Sequence, residues 1–180
     1  MAILPLIMAP HPIFKKKAES VQDVNDAIRT TLDDMLETML SEHGIGIAGN
    51  MVGILKRLVV INLQGENDNT TLYMVNPEIT AFSEEKQTVE EGSLCFLGIA
   101  SPVDRPRKIT VNYLDYHGTP QVLEAEGLLS SCIQHEVDYL NGVTFLDRIS
   151  PMKRDMLVRK MNKAKKRGFV PHVHTDACNH

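Results

Sequence analysis

Across residues 24–40, Val24, Ile28, Leu32, Met35, Leu36, Met39 and Leu40 recur at three- and four-residue steps with Asp, Glu and Thr between them. That spacing predicts an amphipathic helix of about five turns. It stops at Gly44, and residues 44–49 (Gly-Ile-Gly-Ile-Ala-Gly) place three glycines in six positions, which predicts an irregular loop whose backbone approaches a neighbour closely. Extended signals follow. Residues 58–63 are a buried-strand run, residues 65–69 a turn, and residues 70–82 a second extended stretch broken by Pro77. A further extended region at 89–96 leads to residues 109–114, which alternate apolar and polar and end at a turn over 115–118, and residues 122–125 read as a shorter strand.

The period then returns to that of a helix. Leu128, Leu129, Cys132, Ile133, Val137 and Leu140 fit one buried stripe, closed by Asn141-Gly142. Ser150 is placed to N-cap a last helix with Pro151 at its first position, and Met152, Met156, Leu157 and Met161 form a narrow apolar stripe along it. Neither an internal repeat nor a linker divides the chain, so one domain is expected over residues 1–168, with a tail over 169–180.

Composition narrows the class. The chain has 180 residues, 43% hydrophobic and 23% charged, which suits a globular domain and excludes wholesale disorder. No run approaches the roughly 18 apolar residues of a membrane span, and the N-terminus lacks the pattern of a signal peptide, so a cytoplasmic protein is expected. Three cysteines, Cys95, Cys132 and Cys178, point to free thiols in a reducing compartment. Net charge is -4, but residues 151–168 carry eight bases against one acid. That segment is +7 and the remainder is -11, so a basic face stands on an acidic body; neither DNA nor a membrane surface is expected as a partner.

The chemistry concentrates at Gln134-His135-Glu136-Val137-Asp138-Tyr139. In the H-E-x-x-H pattern two imidazoles one helical turn apart face a metal and the Glu acts as general base. Here the second imidazole position holds Tyr139. Taken alone, a His-Glu pair inside a helix is also what a hydrogen-bonded core pair looks like.

Three blocks make the chain resemble the peptide deformylases, metal hydrolases that remove the formyl group from the N-terminal methionine of nascent proteins. Residues 44–53, Gly-Ile-Gly-Ile-Ala-Gly-Asn-Met-Val-Gly, are similar to the family's G-x-G-L-A-A-x-Q-x-G. Glu91-Gly92-Ser93-Leu94-Cys95 is similar to E-G-C-L-S, and residues 134–142 to Q-H-E-x-D-H-L-x-G. Flanking residues agree, including Arg105, the stretch 124–129 and residues 145–148. The resemblance covers about residues 1–168 and implies an α+β fold, with mostly antiparallel strands around a central helix carrying His135 and Glu136. It also implies a divalent metal (iron, nickel or zinc), Glu136 as general base, and an oxyanion site built from the backbone N–H of Leu94 and a glutamine amide. The backbone of Ile45, Gly46 and Gly92 would pair with an extended peptide.

The departures fall on the metal. Of the three ligand positions the resemblance implies, only His135 keeps a ligand; the others hold Ser93 and Tyr139, and the oxyanion glutamine is Met51. Serine is neutral near neutral pH, tyrosine has an ordinary pKa of about 10, and a thioether donates no hydrogen bond. Cys95 stands two positions after Ser93, but on one strand that is a separation of roughly 6.5–7 Å, too far to replace a bond of about 2.3 Å. The tail, with His172, His174, Cys178 and His180, has the composition of a loose metal-binding tract. The expected function is therefore a peptide deformylase-like protein without a metal site and with most or all activity lost, expected to hold no cofactor while keeping formyl-Met peptide or nascent-chain binding. The alternative is an active deformylase or amide hydrolase with an altered site. The resemblance also suggests ribosome docking through the basic segment 151–168, since a +7 helix suits RNA phosphates.

Overall fold

In a computed structural model, which describes residues 1–65 and 70–168, the long helix α1 spans Asp26–Ser41. It starts two residues later than the periodicity suggests because Asn25 caps it, its extended backbone letting the side chain accept a hydrogen bond from Ile28 N–H at 3.0 Å. Ile28, Leu32, Met35 and Met39 form the buried face.

The glycine-rich stretch is not the irregular loop expected. It forms strand β1 (Gly46–Ala48) followed by a turn of 3₁₀ helix over Gly49–Val52. Local propensity lost to sheet pairing, since β1 runs antiparallel to β2 (Leu58–Ile61), with Ile47 opposite Val60. Gly49 is needed by its surroundings: a Cβ there would lie 2.6 Å from Ile54 O and 2.7 Å from Lys56 O, both backbone atoms.

Strand β3 (Leu72–Phe82) runs straight through Pro77. The proline sits where the pairing with β6 (Lys108–Leu114) shifts register between Val75 and Glu78, next to Asn76, whose φ is +52°. Asn76 is held there by its side chain, which accepts from Val21 N–H and donates to Val21 O, each at 2.8 Å. With β7 (Pro120–Glu126) the five-stranded antiparallel sheet has the order β1-β2-β3-β6-β7.

The extended region expected over 89–96 is two elements. Strand β4 (Lys86–Ser93) ends, the chain reverses through Leu94 and Cys95, and β5 (Phe96–Pro106) returns beside it as a separate two-stranded sheet. Gly98, Pro102 and Pro106 break up the hydrophobic signal of β5, yet its inward positions Ile99, Ser101, Val103 and Arg105 alternate, with Phe96 buried three residues before the first of them.

Helix α2 (Gly127–Leu140) packs against β1, β2 and both sheets' remaining strands and is buried almost all round its last ten residues. Beyond it, residues 145–148 form a short 3₁₀ turn and α3 spans Pro151–Lys166, N-capped as expected by Ser150, whose side chain accepts from Lys153 N–H. The apolar stripe of α3 is narrower than expected. Leu157 and Met161 are buried against β5, whereas Met152 and Met156 are 82% and 57% exposed. At about 100° per residue, Met156 is a quarter-turn and Met152 about 140° from Leu157, so only the Leu157/Met161 pair faces the sheet. Lys165 Nζ donates to Ala9 O, tying the helix end to the N-terminal segment. Around α2, Phe14, Phe96, Tyr139 and Phe145 pack as tilted and edge-on rings 5.5–5.7 Å apart. The expected turn at 65–69 falls mostly, and the tail 169–180 entirely, outside the described residues.

Candidate active site

A cleft lies between β1 and the end of β4, with α2 as its floor. Ile45 and Gly46 line one side, Gly92, Ser93 and Leu94 the other, and His135 and Glu136 close it from below; Met51 joins them from the 3₁₀ turn. Of the residues named from the sequence as site candidates, these gather here; Tyr139 lies fully buried behind Ser93, Cys95 is outside the lining, and His172, His174, Cys178 and His180 fall outside the described residues. Close approach explains Gly46, since a Cβ there would stand 2.8 Å from Glu136 Oε1.

Beneath the cleft runs a buried charged chain. His135 Nδ1 lies 2.8 Å from Glu91 Oε2. Arg105 holds Glu91 through two hydrogen bonds, of 2.5 and 3.0 Å, and Asp138 through a third at 2.9 Å. Arg148 then grips both oxygens of Asp138 at 3.0 and 2.7 Å. Burial raises the pKa of Glu91, but its bonds to His135 and Arg105 outweigh that and bring it down to about 2. Burial likewise pulls His135 down, and the Glu91 carboxylate more than offsets it, so the imidazole's affinity for a proton is raised. Glu91, Arg105 and Asp138 occur in the recognisable motifs, but the sequence assigns them no common role. The only hint is that charges sit at inward positions of a strand and a helix, where burial demands partners.

Glu136 stands apart from this chain. It is 5% exposed, its Oε2 is buried without a hydrogen-bond partner, and burial raises its carboxyl to about 7. The nearby His135 and Arg105 lower it, but not enough.

At Ser93 and Tyr139, the two positions where the resemblance implies metal ligands, the side chains bond each other. Ser93 Oγ and Tyr139 Oη lie 2.5 Å apart, and Ser93 Oγ also accepts from Cys95 N–H at 3.2 Å. Burial, reinforced by the Cys95 thiol, pushes the phenol well above its ordinary pKa, so it stays neutral. Cys95 is not two places along a strand from Ser93 but in the turn, with its thiol directed at Met51 O at 3.9 Å; burial, with the Glu136 carboxyl adding to it, raises its pKa as well. Met51 turns inward, its sulfur accepting from Ala48 N–H at 3.3 Å. The family's divalent metal does not fit this donor set: one imidazole nitrogen, a neutral alcohol and a neutral phenol that satisfy each other provide no thiolate or second imidazole. Among the described residues, no three His, Cys, Asp or Glu side chains assemble elsewhere with metal-binding spacing. No helix among them is long and apolar enough to cross a membrane.

Comparison with known proteins agrees with the fold. Residues 3–155 match the sequence profile of the Polypeptide deformylase family. A Rickettsia conorii protein named peptide deformylase-like is 50% identical over 175 residues, 97% of this chain and 95% of that one. A Rhizobium meliloti protein named peptide deformylase is 44% identical over 167 residues, 92% of this chain and 96% of its own length. Among solved structures, the peptide deformylase of Ehrlichia chaffeensis superimposes with a TM-score of 0.87 at 35% identity, over 94% of this chain and all of that one. The same enzyme has been crystallised with actinonin bound.

Proposed function

The chain belongs to the peptide deformylase family, and on that premise we propose that it binds the N-terminal end of an extended peptide in the β1–β4 cleft without metal-dependent hydrolysis. One observation carries this reading: Ser93 and Tyr139, at two of the three ligand positions, are hydrogen-bonded to each other at 2.5 Å. The peptide-pairing edges are backbone, so side-chain change leaves them in place: among the described residues β1 is an edge strand of its sheet, and β4 pairs only with β5. Ile45, Gly46 and Gly92 supply the pairing groups, Leu94 the backbone N–H at the blind end, and formylated or nascent N-termini are the peptide class. Glu136 occupies the general-base position with no activated water to serve. Unassisted, it contributes on the order of 10²–10⁴-fold, far short of the lost ion.

The second reading, an active deformylase with an altered metal site, is favoured by the comparisons, because relatives 39–44% identical to this chain carry the enzyme's plain name. It would use His135 with Cys95, Tyr139 or the tail and hold iron, nickel or zinc. Elemental analysis of protein purified without added metal separates the two. The first reading expects less than about a tenth of an equivalent. Stoichiometric metal lost in His135→Ala and kept after removal of residues 169–180, or turnover of formyl-Met-Ala-Ser that vanishes in Glu136→Ala, establishes the second. Ribosome docking through residues 151–168 accompanies either reading; its support is the eight bases of that segment, seven of them outside the contact with Ala9.

A further inference from the structure

We propose that a second cavity, on another face of α2 from the cleft, is a ligand site for a small organic monoanion, its carboxylate held by Arg57 and its apolar body laid against Phe82. The cavity measures about 580 Å³ and shares no lining residue with the cleft, so the inference is independent of what the cleft binds. Helix α2 separates the two. Ser131, Cys132 and His135 face the cleft, whereas Gln134, Val137, Asp138 and Asn141 recur at three- and four-residue steps along the cavity. Strand β3 forms a wall of it, from Asn76 to Phe82, where Pro77 and the register shift interrupt its pairing with β6.

Three guanidinium groups line this cavity, and they differ in what they hold. Arg105 and Arg148 are both paired with Asp138, and Arg105 with Glu91 as well. Arg57 is half-buried and joins no ion pair among the described residues. Its side chain donates to Leu140 O at 3.1 Å and Asn141 Oδ1 at 3.0 Å, two neutral acceptors at the C-terminal end of α2. That contact caps the helix and uses two of the five donors of a guanidinium, leaving the others for an occupant. Burial lowers the pKa of Arg57 and the nearby Glu78 opposes it without cancelling it, so the charge is under-compensated.

The length and walls define the rest of the ligand. Gln134, at the end away from Asn141, donates to Pro106 O at 2.9 Å, and Lys108 O, two residues on, accepts from Ser83 N–H at 2.9 Å. Phe82 therefore stands at the Gln134 end and Arg57 at the Asn141 end, about 10 Å apart along α2 at 1.5 Å per residue. Between them lie the apolar side chains of Pro77, Ile79 and Val137, and Phe82 itself is 58% exposed. Glu78 and Asp104 are exposed members of the wall and repel a dianion more than a monoanion, which favours a carboxylate over a phosphate. A planar carboxylate also matches the guanidinium fork.

Amide NMR titration of the full chain at neutral pH tests this with phenylbutyrate, in which three carbons join ring and carboxylate, and with phenylbutylamine, phenylbutanol, butyrate and inorganic phosphate. Phenylbutyrate should give saturable shifts at Ile79, Val137 and Asn141 and bind at least about tenfold more tightly than the amine, the alcohol or phosphate. Butyrate, which lacks the ring, should bind about fivefold or more weakly than phenylbutyrate. Arg57→Gln should bring the acid level with the alcohol. Phe82→Ser, at an exposed position, should weaken the acid severalfold while leaving the guanidinium in place, and it decides the matter if circular dichroism shows Arg57→Gln unfolded. Absence of saturable shifts, shifts confined to Gly46 and Glu136 in the cleft, or equal binding of the acid and the alcohol overturns the inference. So does phosphate binding as tight as that of the acid, or an unchanged affinity for the acid in Phe82→Ser or in folded Arg57→Gln.

Discussion

Tyr139 Oη and Ser93 Oγ, on α2 and at the end of β4, form a fully buried hydrogen bond of 2.5 Å across 46 residues of sequence. The two elements are joined by hydroxyl groups, with the phenol ring packed against both Phe14 and His135. The stability of this region therefore depends on the tyrosine.

Tyr139→Phe keeps the ring and removes the bond, leaving Ser93 Oγ with Cys95 N–H alone. Urea denaturation should show a loss of about 1–3 kcal/mol. Tyr139→Ala also deletes a ring that is 0% exposed, and a loss of about 3–5 kcal/mol is expected. A Tyr139→Ala variant as stable as the parent would mean the ring is not a core element.

Ser93→Cys and Tyr139→His, introduced together, replace the hydroxyl pair with a thiolate and an imidazole beside His135. Elemental analysis should find close to one divalent metal per chain in the double variant and far less in either single one, because two donors plus water do not make a four-coordinate site. Adding Met51→Gln should raise formyl-peptide hydrolysis by about a hundredfold or more over the double variant, the effect of one oxyanion donor.

Among the described residues Arg105 is the one cation shared by Glu91 and Asp138, both largely buried. Arg105→Met leaves Glu91 with only His135 and should lower stability by about 3–5 kcal/mol in chemical denaturation at neutral pH. Asp138 keeps Arg148 in that variant, so Arg148→Met, whose side chain is half exposed, should cost clearly less.

The Glu136 carboxyl has a folded pKa of about 7 against an ordinary value of 4.5. Between those values the folded chain holds a proton that the unfolded chain releases, so this group's contribution to stability falls as pH rises from about 4.5 to about 7. Glu136→Gln removes the ionisation. The variant should gain on the parent across that window, by up to about 3 kcal/mol at pH 8 relative to pH 4. A constant difference between the two proteins from pH 4 to 8 would contradict the burial of this carboxyl.

Charge reversal on α3 is best made at Lys160, Lys163 and Lys166, since Lys165 is engaged with Ala9. Sedimentation with ribosomes in low salt should be lost in that variant and peptide binding unchanged. Retained co-sedimentation would place the ribosome contact elsewhere.

How far the sequence reaches can be read from particular residues. The 3.6-residue period placed α1, α2 and α3, and the side chains of Asn25 and Ser150 mark two of their starts, because capping and amphipathicity are local properties. Strand β5 and the strand within the glycine-rich block were missed, since glycines, and in β5 also prolines, break up their hydrophobic signal and each is fixed by pairing with the neighbouring strand.

Ser93, Tyr139 and Met51 were legible in the sequence, and the resemblance to the peptide deformylases is what marked them as departures at the positions it implies for two metal ligands and an oxyanion donor. Whether Ser93 and Tyr139 would gape apart or bond was decided only when β4 and α2 came together. The same assembly put Cys95 in a turn, paired Glu91 with both Arg105 and His135, and left Glu136 Oε2 alone. Sequence carries the identity of each donor and acceptor; which of them meet depends on distances of a few ångströms between elements far apart along the chain, and those are properties of packing.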